Sequence, residues 1–396
     1  MAKVLLVNKF YYNRGGDCTA VLSTEKLLKA KGHEVAIFSM KYPENLSSEW
    51  ENYFAEEINF SANGLSEKKR AILRLFKPKD VVKKFNALLN DFKPDIIHLH
   101  NIHSYISPIV AEIAYKKNIR VVWTLHDYKL ICPAYSCLRN GKNCEYCFTD
   151  KTKVLTNKCL KNSYMASLLG WLEAEFWNKK KLAQITNYFI SPSHFLKTKM
   201  IQAGFPAEKI EVLSNFMPEK INISTSKKDY YCYVGRLSEE KGVDTLLKAA
   251  SHLPYPLKVI GDGPLSSSLR NLYTQENIEF LGYLPSKEVF DIVKSARLLV
   301  LPSICYENNP FSIIESLCMG TPVLGARIGG IPELIEENFN GFLFTPQNIP
   351  ELKDKIDLCF KYFHDGYDFG KIGLSAQNKY SSETFYDKLA DIYNIS

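Results

Sequence analysis

No stretch of this 396-residue chain approaches the roughly 18 consecutive apolar residues that span a bilayer as a helix, so a helix-anchored membrane protein is not expected. No cleavable leader is expected either. The opening Met-Ala-Lys-Val-Leu-Leu-Val-Asn-Lys is apolar only over the length of a strand and has no small-residue cleavage site. It reads as the first β-strand of a cytoplasmic protein. Internal repeats and low-complexity tracts are also absent. Charge of one sign is scarce: 50 Lys and Arg against 43 Asp and Glu leave +7. With no nucleic-acid-binding module in the chain, nucleic acid is not an expected partner. What is present is an ordinary globular composition, 46% hydrophobic and 23% charged. The length suggests two or three domains.

Ten cysteines in a chain read as cytoplasmic argue against a disulfide framework. Five of them crowd into a polar, turn-rich stretch, where Cys144 and Cys147 form a Cys-x-x-Cys knuckle flanked by Cys132 and Cys159. Those four thiolates are a candidate structural zinc site pinning an insertion at about 131–160; reduced, unliganded thiols are the competing reading. The small positive excess is concentrated. Lys68, Lys69, Arg70, Arg74, Lys77, Lys79, Lys83 and Lys84 share one stretch with Ile72, Leu73, Leu75 and Phe76. Such a segment suits the anionic inner face of the cell membrane, or else a solvated helix face. Lys179-Lys-Lys181, after Trp171 and Trp177, is a second segment of the same kind.

Along the chain, the pattern begins as strand, loop, helix, strand. Lys3–Lys9 is an apolar strand, Gly15-Gly16 lies in a loop, Asp17–Ala30 has helical periodicity and Glu34–Phe38 is again a strand. This βαβ unit implies a parallel sheet. Residues 95–100 and 120–126 read as further strands with polar residues at their C-terminal ends, the edge where ligands gather in open parallel sheets. A polar run over about 218–230 reads as a linker, after which the βα pattern restarts: strands at Tyr230–Val234, Leu257–Ile260, Ile278–Phe280, Leu298–Leu301 and Pro322–Gly325, a helix at Val243–Ala250. Residues 382–393 read as an amphipathic helix.

Two motifs of the second half suggest chemistry. Gly235-Arg-Leu-Ser-Glu-Glu-Lys-Gly242 follows a strand and opens a helix, which places backbone amides, Arg236 and Lys241 where anionic phosphate is favoured. In the competing reading, the two cations cap Glu239 and Glu240. The second motif runs from Pro302 to Gly320. It sets Glu307 in a loop and Glu315 in the second turn of a helix that starts at Pro310 and stops at Gly320. A half-buried Glu315 needs donors, and sugar or ribose hydroxyls would supply them. Otherwise Glu315 faces solvent and Glu307 merely favours a helix N-terminus.

Taken together, these pieces resemble the retaining nucleotide-sugar glycosyltransferases of family four (glycosyl transferases group 1). The resemblance rests on Val234–Gly242, Gly261-Asp-Gly-Pro264, Phe280-Leu-Gly-Tyr283, Leu301-Pro-Ser303, the Glu307 and Glu315 pair, Gly320-Thr-Pro-Val323 and Gly329-Gly330. In the first half, Gly15-Gly16, residues 94–101 and Thr124-Leu-His-Asp127 join it. It implies an α/β chain of GT-B architecture: two doubly wound Rossmann-like domains facing across a cleft, with a C-terminal helix packing back on the first. The expected division is 1–220 for the acceptor domain, 221–380 for the donor domain and 381–396 for the returning helix.

By resemblance, Arg236 and Lys241 bind the diphosphate of a UDP- or GDP-type sugar donor, without a catalytic metal or other cofactor. Glu315 takes the ribose, and Glu307 the sugar, together with Asn308, Asn309, Pro310 and Phe311. Gly15 and Gly16 lie by the phosphates, His126 faces the sugar, and His100 and Asn101 line the acceptor side. The implied activity is that of a hexosyltransferase acting on a glycan or lipid-linked acceptor of surface polysaccharide assembly. Two alternatives stand beside it: a nucleotide-sugar epimerase of the same architecture and a non-catalytic glycan-binding subunit. Where family members often place a glycine–phenylalanine pair after the first glutamate, this chain has Asn308-Asn309-Pro310-Phe311. Pro310 can donate no backbone hydrogen bond to the sugar.

Overall fold

The computed structural model describes residues 1–60 and 64–395. The chain folds into two units. The first comprises Met1–Ser136, Glu145–Ser214 and the C-terminal stretch from Phe385; the second comprises Cys137–Cys144 and Asn215–Thr384. Ser396, at the end of the expected 381–396 segment, lies outside the described residues.

In the first unit six parallel strands, β1 (Lys3–Val7), β2 (Glu34–Phe38), β3 (Ile96–Leu99), β4 (Arg120–Thr124), β7 (Tyr188–Ser191) and β8 (Ile210–Val212), stand in the order β2-β1-β3-β4-β7-β8. Between β4 and β7 in sequence comes a hairpin of two short strands, β5 (Leu138–Arg139) and β6 (Lys142–Asn143), which belongs with the second unit. The strands of the first sheet are apolar runs because helices cover both faces of a parallel sheet. Val4, Leu6, Ile37, Ile96, Val122 and Ile190 form one core with Leu389 and Tyr393 of the C-terminal helix Ser382–Tyr393. From Phe385 onward that helix is therefore part of the first unit.

The second unit repeats the plan. Strands β9 (Lys228–Val234), β10 (Leu257–Ile260), β11 (Ile278–Gly282), β12 (Ala296–Leu301), β13 (Val323–Ala326) and β14 (Gly341–Phe344) run parallel in the order β11-β10-β9-β12-β13-β14. Several bounds differ by one or two residues from the sequence reading, β9, β11, β12 and β13 among them. Lys228 and Asp229, read as linker, already belong to β9. Just before them, Lys227 is buried and donates to Lys294 O at 2.8 Å and Thr321 Oγ1 at 2.7 Å. The polar run thus ends in ordered structure.

The basic segment folds as two helices, Leu65–Phe76 and Lys79–Phe92. It is less uniformly basic on its surface than its sequence implies. Arg74 is buried and donates to Glu56 O, Tyr105 O and Asp80, and Lys84 donates to Phe54 O and Glu56. Lys68, Lys69, Ile72 and Leu73 are exposed. The second basic segment is largely absorbed by the fold. Trp177 is buried with its Nε1 donating to Leu75 O at 2.8 Å, Lys181 pairs with Glu112 at 2.8 Å, and Lys179 donates to Ala203 O at 2.9 Å. Among the described residues no helix is long and apolar enough to cross a membrane.

Candidate active site

In the second sheet the strand order reverses between β9 and β12: the chain steps outward from β9 to β10 and β11, then returns to β12 on the other side. The loops leaving the C-terminal ends of two such strands diverge there and open a crevice suited to a ligand. Both sequence motifs occupy that place. Gly235–Gly242 leaves β9, and Pro302–Pro310 leaves β12. The backbone ties them together, because Ile304 N and Cys305 N both donate to Glu240 O, at 3.0 and 3.3 Å.

The side chains then meet. Lys241 Nζ lies 2.7 Å from Glu307 Oε1, and Ser303 Oγ donates to the same oxygen at 2.6 Å. Burial alone would push the Glu307 carboxyl up, but Lys241 and the Ser303 hydroxyl outweigh it and hold the group ionised below its ordinary range. Lys241 likewise keeps its proton against burial, held by the charge and hydrogen bond of Glu307. Sequence reasoning singled out the lysine and the glutamate separately. It assigned no role to Ser303, whose only signal was its place in Leu301-Pro-Ser303. Among the described residues no donor reaches Glu307 Oε2, which leaves a charged acceptor for a hydroxyl.

Close backbone approach at two glycines makes this arrangement possible. Gly242 has φ +65°, and a Cβ there would lie 2.0 Å from Pro302 O. Gly329, at φ +61°, would place a Cβ 2.3 Å from Glu307 O, while Gly330 N donates to that oxygen at 2.7 Å. The two glycines thus let the β9 loop and the Gly329-Gly330 turn press against the Glu307 loop from two sides.

Glu315 lies in the second turn of the helix Phe311–Cys318, which Gly320 terminates at φ +76°. Pro310 occupies the capping position, one residue before the first helical position expected for it. Glu315 is half-buried beside Val234, Val289, Phe290, Val293 and Met319. Burial without a compensating donor raises its carboxyl to about 7. Arg236 is exposed, with no ion pair among the described residues, so neither cation caps Glu239 or Glu240 as in the competing reading. Asn309 is buried and turned to the chain. Its Oδ1 accepts from Asn215 N at 2.9 Å and its carbonyl from Asn215 Nδ2 at 2.8 Å. Asn308, Pro310 and Phe311 are half-buried around it.

The first sheet has its own reversal, between β1 and β3. Gly15 is extended and exposed ahead of the helix Gly16–Ala30, and a Cβ there would meet nothing closer than 4.0 Å. The room at Gly15 is therefore open space rather than a tight turn. Asn101, at the end of β3, is held by Asn8 Oδ1 through its N–H at 3.0 Å, and its Nδ2 donates to Asp17 Oδ2 at 3.0 Å. Asp17, which sequence reasoning passed over, also lies 3.7 Å from Lys9 Nζ. His126, just past β4, is joined to His100, its Nε2 lying 3.0 Å from His100 Nδ1. Burial pushes the imidazoles of His98, His100, His103 and His126 below their ordinary range, so all four are neutral near pH 7.

The candidate zinc set is not assembled. Among the described residues no three or more His, Cys, Asp or Glu side chains are placed to hold a metal ion. The sequence neighbours diverge locally: Cys144 ends the β5–β6 hairpin, donating its N–H to Cys137 O at 2.8 Å, whereas Cys147 is buried in the turn Tyr146–Phe148.

Comparison with known proteins bears on the family and the fold. Residues 15–219 match the family described as Glycosyltransferase Family 4, and residues 216–362 the family described as Glycosyl transferases group 1. An uncharacterized 42.6 kDa protein in the cps region of Klebsiella pneumoniae is 30% identical over 351 residues, 84% of this chain and 87% of that protein. The amylovoran biosynthesis glycosyltransferase AmsK of Erwinia amylovora is 30% identical over 170 residues, 38% of this chain and 42% of its own length. The crystal structure of Anabaena HepE in complex with UDP-glucose shares the fold, with a TM-score of 0.67 and 17% identity over 100% of both chains.

Proposed function

Because this chain belongs to glycosyltransferase family 4 and is a glycosyltransferase of GT-B architecture, we propose that it moves a hexose-type sugar from a UDP-sugar to a glycan or lipid-linked acceptor in polysaccharide assembly. In this reading the anomeric configuration is retained and no catalytic metal takes part. The observation that carries it is the Lys241–Glu307–Ser303 cluster at the strand-order reversal of the second unit.

A diphosphate leaving an anomeric carbon gathers charge on its oxygens, and cations already in place are worth most at that moment. Lys241 is held protonated and Arg236 has no ion pair among the described residues, so the two supply what a divalent ion would otherwise supply. Glu307 Oε2 accepts a sugar hydroxyl, and Glu315 accepts from the ribose. The UDP-glucose bound to HepE and the biosynthetic role in the name of AmsK support the donor and the pathway class. Retention follows the family kinship.

The deciding measurement is UDP release from a panel of UDP-sugars, with and without glycan acceptors, in the presence of EDTA. Acceptor-dependent release that survives the chelator is expected. Interconversion of sugar nucleotides without acceptor would instead mark an epimerase, and undiminished turnover in both Lys241→Met and Glu307→Gln would sink the assignment. Peripheral membrane attachment rests on the exposed Lys68, Lys69, Ile72 and Leu73. Co-sedimentation with anionic liposomes at low salt, lost in Lys68→Glu/Lys69→Glu, is the expected outcome.

A further inference from the structure

The first unit carries a row of imidazoles: His98 and His100 have ring centres 4.2 Å apart, and His100 and His126 are stacked at 5.2 Å. His98 is anchored at both nitrogens, to Tyr393 OH at 2.6 Å and Thr124 Oγ1 at 2.7 Å, and has none left for its neighbour. The next two rings share one hydrogen between His100 Nδ1 and His126 Nε2. Burial keeps both rings neutral, so each bears a single N–H.

Two placements of the shared hydrogen exist. If it sits on His126 Nε2, His100 accepts at Nδ1 and carries its own hydrogen on Nε2. That nitrogen is buried and has no partner among the described residues. A buried N–H without an acceptor is the rarer of the two kinds of unsatisfied polar group. If the hydrogen sits on His100 Nδ1, the unpartnered nitrogen is only a lone pair. His126 then accepts at Nε2 and bears its hydrogen on Nδ1.

We propose that His100 is a positioning residue that holds His126 as the Nδ1–H tautomer, so that His126 meets its substrate as a hydrogen-bond donor rather than as a base. The tautomer stands on the shared hydrogen bond, the unpartnered His100 Nε2 and the burial of both rings, whereas its consequence for turnover rests on the proposed function. A fixed N–H suits a sugar hydroxyl or a phosphate oxygen and removes no proton from the acceptor.

Long-range proton–nitrogen NMR on histidine-labelled protein reads the tautomer directly. His126 protonated on Nδ1 in the wild type, with population moving to Nε2–H in His100→Leu, is the expected result. Nε2–H in the wild type overturns the proposal. Since His100→Leu opens a buried site and can fail to fold, a second pair of variants reads the same point. Asparagine at 126 sets an amide N–H near the place of Nδ1, and glutamine sets one near Nε2. With UDP-glucose as probe, UDP release by His126→Asn should exceed that of His126→Gln by about tenfold or more, the scale of one lost donor. Equal or reversed rates overturn the donor role. If the wild type neither binds nor cleaves any UDP-sugar, the proposed function fails while the NMR result still decides the tautomer.

Discussion

Lys241 and Glu307 are bound to one another before any ligand arrives, and this changes what a single substitution at either position does. Removing Lys241 leaves a carboxylate that is only about one-tenth exposed without its cation. Lys241→Met should therefore lower stability by about 1–3 kcal/mol as well as abolish turnover. The double variant Lys241→Met/Glu307→Gln should recover much of the stability and none of the turnover. Chemical denaturation of the four proteins gives the coupling. Glu315 behaves in the opposite way. Its carboxyl titrates near 4.5 when unfolded and about 7 when folded, so the folded protein holds the proton more tightly. Stability attached to this residue is present below about 4.5 and is lost as pH rises through about 7, roughly 3 kcal/mol in all. Glu315→Gln should thus stabilise the ligand-free protein at pH 8 and hardly at pH 4.5. In wild type, calorimetry near pH 6 in buffers of different ionisation enthalpy should show protons released when UDP binds, since a ribose held by the carboxylate displaces them.

At the scale of elements, the site depends on loops that touch through backbone. Gly329→Ala would drive a Cβ into the main chain of Glu307, and the added strain at φ +61° compounds it. A loss of about 2 kcal/mol or more is expected by thermal unfolding, with a larger proportional loss of UDP release because Glu307 is displaced. Much of this level was legible in the chain. Glu34–Phe38, Leu257–Ile260 and Val243–Ala250 have the bounds read from their apolar patterns, because buried parallel strands and short amphipathic helices show plainly. β7, β8 and β14 were not read as strands; in β8, three residues with Glu211 in the middle carry no strand signature, and β7 and β14 are only four residues each. Lys228 and Asp229 looked like linker because a strand that begins at the surface can begin with charge. The site residues were recognisable by type and motif, but their partnerships were not. Lys241 meets Glu307 only because β9 and β12 are neighbours in the sheet, and His100 meets His126 only because β3 and β4 are. Local sequence contains neither adjacency. Four cysteines in a short stretch suggested zinc for the same reason: spacing says nothing of which way a chain turns between them.

On the scale of the whole molecule, the first unit is built from stretches far apart in the chain. Leu389 and Tyr393 are fully buried among strands β1, β2, β3, β4 and β7, and Tyr393 OH is hydrogen-bonded to His98. Leu389→Ala should cost about 2–5 kcal/mol, seen as a lowered transition of the first unit with the second unit's transition unmoved in calorimetry. Residues 1–214 expressed alone should be poorly folded, and adding a synthetic peptide of residues 382–395 should restore part of their structure. For a chain emerging from the ribosome, this arrangement inverts the usual sequence of events. A domain that leaves first ordinarily folds first. Here the second unit, complete at Thr384, can close while the first still lacks part of its core, so the part of the enzyme made earliest is finished only once the helix beyond Phe385 has been made.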